Sequence, residues 1–314
     1  MKLLLLGARG QLGHSFLQHG GLAAHGEVTA ASRDGRLLDG SACAAIDLGE
    51  PASLTAALDR LRPDLIVNAA AYTAVDRAEQ DEALATRVNG EAVGLIGRWA
   101  AAHGALVVHY STDYVFDGHQ SQPYAVDAPT APLGAYGRSK LAGERALRES
   151  GADQLIFRTA WVYAAHGHNF LRTMLRLGAE REELRVVADQ HGAPTDTGLI
   201  VAASLAAIGR WQHADAAQRK ALHGIHHLVA GGATSWHGFA CAIFEQAVAH
   251  GLLARAPRVL PIATADYPTP AARPAWSLLD NQGFQAHFDF PLPDWQQGLD
   301  QVMRQLAHQE PEPC

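Results

Sequence analysis

Tyr136 and Lys140 stand four residues apart in the run Tyr136-Gly137-Arg138-Ser139-Lys140. On a helix that spacing places both side chains on one face. A free phenol, with a pKa near 10, is a poor acid at neutral pH. An ammonium held ~4 Å away, at an effective dielectric of about 20, interacts with a phenolate by roughly 4 kcal/mol. That equals at most about three pKa units, enough to tune a tyrosine for proton transfer. A tyrosine and lysine at this spacing also recur by chance on surface helices, so the pair gains its weight from other segments.

One of these is Gly7-Ala8-Arg9-Gly10-Gln11-Leu12-Gly13, which follows the apolar run 3–6 and opens a helix. Gly7 suits a tight turn, Gly10 lets the backbone approach a pyrophosphate, and Gly13 lets helix pack on strand. Phosphates at such a helix start meet free N–H groups and the positive end of the helix dipole. The second strand ends in Ser32-Arg33, a hydroxyl and a guanidinium suited to the 2′-phosphate of NADPH. Asp34 pulls the other way, so NADPH is favoured with NADH as the alternative. Asp47 and Leu48, past the third strand, are placed for the adenine, though Asp47 equally suits a solvated loop. Asn68-Ala69-Ala70-Ala71-Tyr72-Thr73 closes the fourth strand with small residues that admit a ligand close to the backbone. Tyr110-Ser111-Thr112-Asp113-Tyr114 closes the fifth, with hydroxyls and a carboxylate where open α/β sheets bind substrate.

The elements that must position these groups alternate. Apolar strand runs at 3–6, 27–31, 42–46, 65–68, 105–110 and 155–158 are separated by helical runs at 10–18, 52–61, 82–103 and 136–150. Near-continuous apolar strands alternating with helices predict an α/β fold, a Rossmann-type doubly wound parallel sheet covered on both faces. The rhythm changes after residue 168. Helices are expected at 170–177, 197–210 and 235–250, strands near 185–187 and 225–229, and a proline-rich stretch at 257–274. The expected organisation is a dinucleotide-binding domain over 1–168, with sheet strands returning near 185–230. A smaller α/β region over 169–308 mainly binds substrate, and a disordered tail covers 309–314.

Composition bounds the function classes. The net charge of −7 over 314 residues argues against a general nucleic-acid binder. Three scattered cysteines suit a reducing, cytoplasmic setting without disulfides. No run approaches the ~18 apolar residues of a membrane helix. His223, His226 and His227 lack acidic or cysteine companions, so no metal site is expected there.

In this order the glycine loop, Asn68-to-Asp76 (NAAAYTAVD), Ser111-to-Asp117 (STDYVFD) and Tyr136-x-x-x-Lys140 resemble the extended short-chain dehydrogenase/reductase superfamily. Within it the chain is most similar to the dTDP-4-dehydrorhamnose reductases. Arg158-to-Tyr163 (RTAWVY), Asp189-to-Thr195 (DQHGAPT), Ser235-to-Phe239 (SWHGF) and Arg273-Pro274 carry that likeness through the C-terminal half.

The resemblance implies NAD(P)H-dependent reduction of the C4 keto group of dTDP-4-dehydro-β-L-rhamnose, the last step toward dTDP-L-rhamnose for surface polysaccharides such as O-antigen. It makes Tyr136 the proton donor, gives Lys140 the nicotinamide ribose, and gives Thr112 the hydrogen bonding at the reacting oxygen. Asp113, Tyr114 and Trp161 would meet the sugar, the indole stacking on its ring. Gly10, Gln11 and Leu12 would lie on the pyrophosphate, with Ala70, Ala71, Tyr72, Thr73 and Tyr110 lining the cofactor site. Some members are dimers bridged by magnesium through an acidic residue early in the first helix. Ser15 stands there in this chain, so a magnesium bridge is not expected, and a monomer or weak homodimer is. The alternatives are a reductase of another dTDP-deoxysugar, or a non-catalytic regulatory subunit on the same fold.

Overall fold

Four consecutive buried leucines end the first strand, β1 (Lys2–Leu6), in the interior of a seven-stranded sheet. The computed structural model describes residues 1–308; the tail expected at 309–314 lies outside the described residues. The other strands are β2 (Glu27–Ser32), β3 (Ala44–Ala45), β4 (Leu65–Asn68), β5 (Leu106–Thr112), β6 (Asp153–Thr159) and β7 (Gly224–His227). They lie in the order β7-β6-β5-β4-β1-β2-β3, every pairing parallel. Strand order reverses between β1 and β4, and that switch opens a crevice beyond their carboxyl ends. β4 and β5 are buried along their whole length, as strands covered on both faces must be.

Helices Gln11–His19, Thr197–His213 and Gln282–Phe288 cover one face, with Phe16, Ile200, Ile208, Phe284 and Phe288 packed on Leu3, Leu5 and Val108. On the other face, Pro51–Leu61 and Ala92–His103 pack on Leu4, Leu6 and Ile66, joined by Leu147 of Ala135–Glu149. A third cluster lies apart from the sheet. It joins Leu171 and Met174, Leu184 and Val186, Phe239 and Phe244, and Leu299 and Met303 of the C-terminal helix Trp295–His308.

Several elements differ from the sequence expectation for physical reasons. The third strand shrinks from 42–46 to two residues, because the edge turns back into a bridge between Arg36 and Ala42. The helical run 82–103 is interrupted by a π-helical turn, Arg87–Glu91, which matters for the site below. Glu183–Val187 does not join the main sheet. It pairs in parallel with Arg258–Ile262, a strand inside the proline-rich stretch where none was expected. Pro261 is tolerated because a two-stranded pair leaves one side of each strand without a ladder partner. β7, in contrast, does return to the main sheet, in register from Gly224 against Leu155 to His227 against Arg158.

Candidate active site

The glycine loop is shaped by contacts that leave no room for side chains. Gly7 has φ +77°, and a Cβ there would lie 2.6 Å from the Ala70 nitrogen. At Gly13 a Cβ would come within 2.1 Å of the Gly7 oxygen, so the helix starts hard against the turn. Gly10 precedes the helix with no side-chain cap, leaving the first N–H groups of Gln11–His19 for a ligand. Gln11 accepts from Asn169 Nδ2 at 2.9 Å and donates to the Val162 carbonyl at 3.3 Å, tying the loop to the 162–169 segment. Ser15 is buried and donates to Thr197 Oγ1 at 2.7 Å, joining the two helices on that face.

Around the second strand, Ser32 is buried and donates to Asp34 Oδ1 at 3.0 Å, while Arg9 pairs with the other oxygen of Asp34. The Ser32 hydrogen bond, more than the Arg9 charge, holds the Asp34 carboxyl below its usual range. Arg9 was not among the expected site residues; only the folded loop brings it to Asp34. Arg33 is exposed and has no ion-pair partner among the described residues. Asp47 accepts from the Gly49 N–H at 2.8 Å, and the Leu48 side chain is core.

Tyr136 rides on the helix that follows β5. Ala135–Glu149 starts at Gly134, which offers no cap, and Glu79 accepts from the Ala135 N–H at 2.8 Å instead. A Cβ at Gly137 would lie 2.2 Å from the Tyr114 oxygen, so the helix presses Tyr136 against the turn that follows β5. Tyr114 meets Tyr136 edge to face, with centroids 5.6 Å apart. Thr112 donates to Asp113 Oδ1 at 2.9 Å and accepts from the Tyr114 N–H. The other carboxyl oxygen of Asp113 is buried with no partner among the described residues, an acceptor without a donor there. Burial pushes Asp113 up to about 6.

Burial also pushes the Tyr136 phenol upward, Asp113 adds to this, and a Thr112 hydrogen bond opposes it. Lys140, more deeply buried than the half-buried Tyr136, is pushed down to about 8 by desolvation, against the pull of Glu144. Its Nζ donates to the Tyr110 carbonyl at 2.5 Å. The sequence reading expected the ammonium to dominate the phenol; in the fold, burial does. Tyr136 is consequently held protonated.

Other expected residues reach the site by different atoms than expected, or through partners not foreseen. The Tyr110 ring packs between Phe16 and Phe157 and its hydroxyl donates to Ser204, so it serves the site through its carbonyl. Asn89, in the π-helical turn, accepts from the Tyr72 N–H at 2.8 Å and donates to the Tyr72 carbonyl at 3.0 Å. It fixes the loop of Ala71, Tyr72 and Thr73, and no local sequence pattern marked it. Tyr72 and Tyr136 both pack against the small cluster of Ala78, Ala85 and Ala135. Trp161 has φ +49° and stacks on Trp236, centroids 3.5 Å apart and planes 4° from parallel. The Gly192 backbone also lies against the indole, where a Cβ would approach Cε2 to 2.5 Å. One face of the indole is therefore taken by Trp236. Asp76 and Arg273 form a bidentate pair, both bonds 2.9 Å, joining the loop after β4 to the 269–276 segment.

The family model described as the RmlD substrate binding domain matches residues 1–308. A dTDP-4-dehydrorhamnose reductase from Burkholderia thailandensis is 46% identical, covering 98% of this chain and 100% of its own. The chain belongs to the dTDP-4-dehydrorhamnose reductase family. A reductase of that name from Escherichia coli is 42% identical over 98% of each chain. A crystal structure of the Bacillus anthracis reductase in complex with NADP is 32% identical with a TM-score of 0.83, covering 97% of this chain and 99% of its own. As a member of this family, the chain is an NAD(P)H-dependent oxidoreductase on a Rossmann-type sheet. The dinucleotide fits the features seen here: an uncapped helix start, a loop in which side chains would clash, and an unpaired guanidinium at Arg33.

A buried carboxylate with a raised pKa carries a cost. Between about pH 4 and 6 the unfolded state releases the Asp113 proton and the folded state keeps it, so stability falls as pH rises through that window. Above it the full penalty stands, about 2–3 kcal/mol at most. Asp113→Asn is expected to raise the melting temperature, by an amount that grows from pH 4 to pH 7. A difference that stays flat across that range would show that Asp113 is ionised at no cost.

Proposed function

We propose that this chain reduces the C4 keto group of dTDP-4-dehydro-β-L-rhamnose to give dTDP-β-L-rhamnose, with NADPH favoured and NADH as the alternative donor. The observation that carries this reading is a phenol held protonated by burial near a buried carboxylate oxygen with no partner among the described residues, beyond the carboxyl end of β5. Bound NADPH would supply the hydride. Gly7, Gly10, Gln11, Leu12 and Gly13 would hold its pyrophosphate, Ser32 and Arg33 its 2′-phosphate, and Asp47 and Leu48 its adenine. Ala70, Ala71, Tyr72 and Thr73 would flank it, while Lys140 would hold the ribose.

Tyr136 gives its proton to the oxygen that becomes the C4 hydroxyl, and Thr112 donates to the same oxygen as charge builds there. Asp113 Oδ2 accepts a sugar hydroxyl, which supplies the donor it lacks among the described residues. Tyr114 and the edge and Nε1–H of Trp161 bound the sugar, the indole being fixed by Trp236. The region 169–308 forms mainly the substrate side, and 1–168 the dinucleotide side. We place the protein in the cytoplasm, as a monomer or weak homodimer without a magnesium bridge; no helix among the described residues is long and apolar enough to cross a membrane.

Incubation with dTDP-4-dehydro-β-L-rhamnose and NADPH, followed by NMR of the product, tests the reading. Formation of dTDP-β-L-rhamnose supports it. A product of other C4 configuration would make this a different deoxysugar reductase, and no oxidation of NADPH would leave only a binding role. The cofactor assignment has its own test. Arg33→Ala is expected to weaken NADPH far more than NADH, since a hydrogen bond to a charged group contributes ~1.5–3 kcal/mol. Titration of both cofactors decides it, and equal losses would make Arg33 an ordinary surface residue.

A further inference from the structure

Thr112 has a single hydroxyl proton, and the mechanism above needs it at the C4 oxygen. In the structure Asp113 Oδ1 accepts that proton at 2.9 Å, while the Thr112 oxygen accepts from the Tyr114 N–H. A hydroxyl donates one hydrogen bond at a time. Turning it toward substrate takes a donor from a buried carboxylate, which is unfavourable unless another donor replaces it. Ser277 stands where that replacement is needed. It is 2% exposed and belongs to the stretch after Pro274, where Trp276 and Leu279 pack with Val115 and Phe116 next to Asp113. Burial raises the Asp113 carboxyl, and the Thr112 and Ser277 hydroxyls, in that order, oppose the rise. The Ser277 hydroxyl nonetheless donates to the His191 carbonyl at 3.2 Å, a long bond for an O–H donor. That carbonyl already accepts the Ser277 N–H at 2.9 Å, so it keeps a partner when the hydroxyl leaves. Asp113 Oδ2 meanwhile has no partner among the described residues.

We propose that Ser277 is a positioning residue for the reduction: as substrate binds, its hydroxyl turns from the His191 carbonyl to Asp113 and frees the Thr112 hydroxyl for the C4 oxygen. The inference rests on the roles given above to Thr112, Asp113 and Tyr136. Both hydroxyls rotate without breaking a covalent bond, and each oxygen keeps its proton. With a keto oxygen in place, Thr112 gains an acceptor whose negative charge grows toward the transition state. Asp113 then takes the sugar hydroxyl and the Ser277 hydroxyl, two donors for the one it gives up. That is well within the acceptor capacity of a carboxylate. Hydrogen bonds to charged groups are the stronger ones, so the exchange is most favourable at the alkoxide. The Ser277 hydroxyl adds little to the anchoring of its own segment. The Ser277 N–H bonds the His191 carbonyl, and the His191 N–H donates to the Ala275 carbonyl at 2.8 Å.

Ser277→Ala is expected to lower kcat about 10- to 100-fold with a much smaller rise in KM, as when an interaction is made chiefly in the transition state. Its melting temperature should change little, because the backbone bonds between 275–277 and His191 remain. In a Thr112→Val background the same substitution should cost less than about twofold, since Ser277 acts through Thr112. The wild type gives a reading that depends on no variant folding. In crystals with NADP⁺ and dTDP-β-L-rhamnose, Ser277 Oγ should lie about 2.7 Å from an Asp113 oxygen, with Thr112 Oγ1 on the C4 oxygen. A complex in which Ser277 still bonds the His191 carbonyl and Thr112 still bonds Asp113 overturns the proposal. So does an unchanged kcat in Ser277→Ala, a loss confined to KM, or an equal loss in the Thr112→Val background. An enzyme that leaves the dTDP-sugar unreduced sinks the functional reading, and this inference with it. A working enzyme with any of those results sinks the inference alone.

Discussion

Tyr136→Phe is expected to lower kcat by ~10²–10⁴-fold, the usual contribution of a positioned general acid. The substitution removes only the hydroxyl. The ring keeps its edge-to-face contact with Tyr114 and its packing against the cluster of Ala78, Ala85 and Ala135. Cofactor affinity should therefore change little, since the glycine loop and the 2′-phosphate end of the site lie on other elements. The phenol lies within hydrogen-bond influence of Thr112 and is held protonated, so on the proposed mechanism its loss removes the group that protonates the developing C4 alkoxide. Steady-state rates and a cofactor titration on one purified variant check both halves. A kcat above about half of wild type would remove Tyr136 from the mechanism.

The second large effect is on stability. Glu144 follows Lys140 by one helical turn and is bound by Arg158 through Nε at 2.9 Å and Nη2 at 2.8 Å, both side chains almost wholly buried. Ser111 also donates to Glu144, and Arg158 reaches the Val126 carbonyl and lies over the Phe116 ring. Glu144→Ala would leave Arg158 charged, buried and short of its partner, at a cost of about 3–5 kcal/mol. Chemical denaturation should show that loss. Replacing Glu144 and Arg158 together with Met should recover much of it, because the uncompensated charge is then gone. A loss under about 1 kcal/mol for Glu144→Ala would mean that water or a shifted Arg158 relieves the charge. The pair bonds the donor helix to β6, the strand that leads into Trp161, so a destabilised variant is also expected to have a misplaced Lys140.

Local order along the chain was legible in the sequence because each element's pattern is local. The leucines of β1, the small residues after β4 and the four-residue spacing of Tyr136 and Lys140 are properties of neighbours in sequence. They specify strand, close approach and shared helical face without reference to the rest of the fold. The parallel α/β sheet followed from the same patterns, and the motifs carried the family.

What local pattern could not supply was pairing between distant segments. Arg9 meets Asp34, Asn89 clamps Tyr72, Glu144 binds Arg158, and Asp76 binds Arg273, each across at least fourteen residues. The strand at 258–262 was missed because its prolines read as loop, and it exists only by pairing with 183–187. The sense of the tyrosine's tuning was decided in three dimensions as well. Spacing alone put an ammonium beside a phenol, but burial, a property of the whole packed chain, set both proton affinities. By itself the sequence determined which groups could do chemistry and on which elements they ride. Only the tertiary structure decided which of them lose water, and desolvation is the larger influence on Tyr136, Lys140 and Asp113 alike.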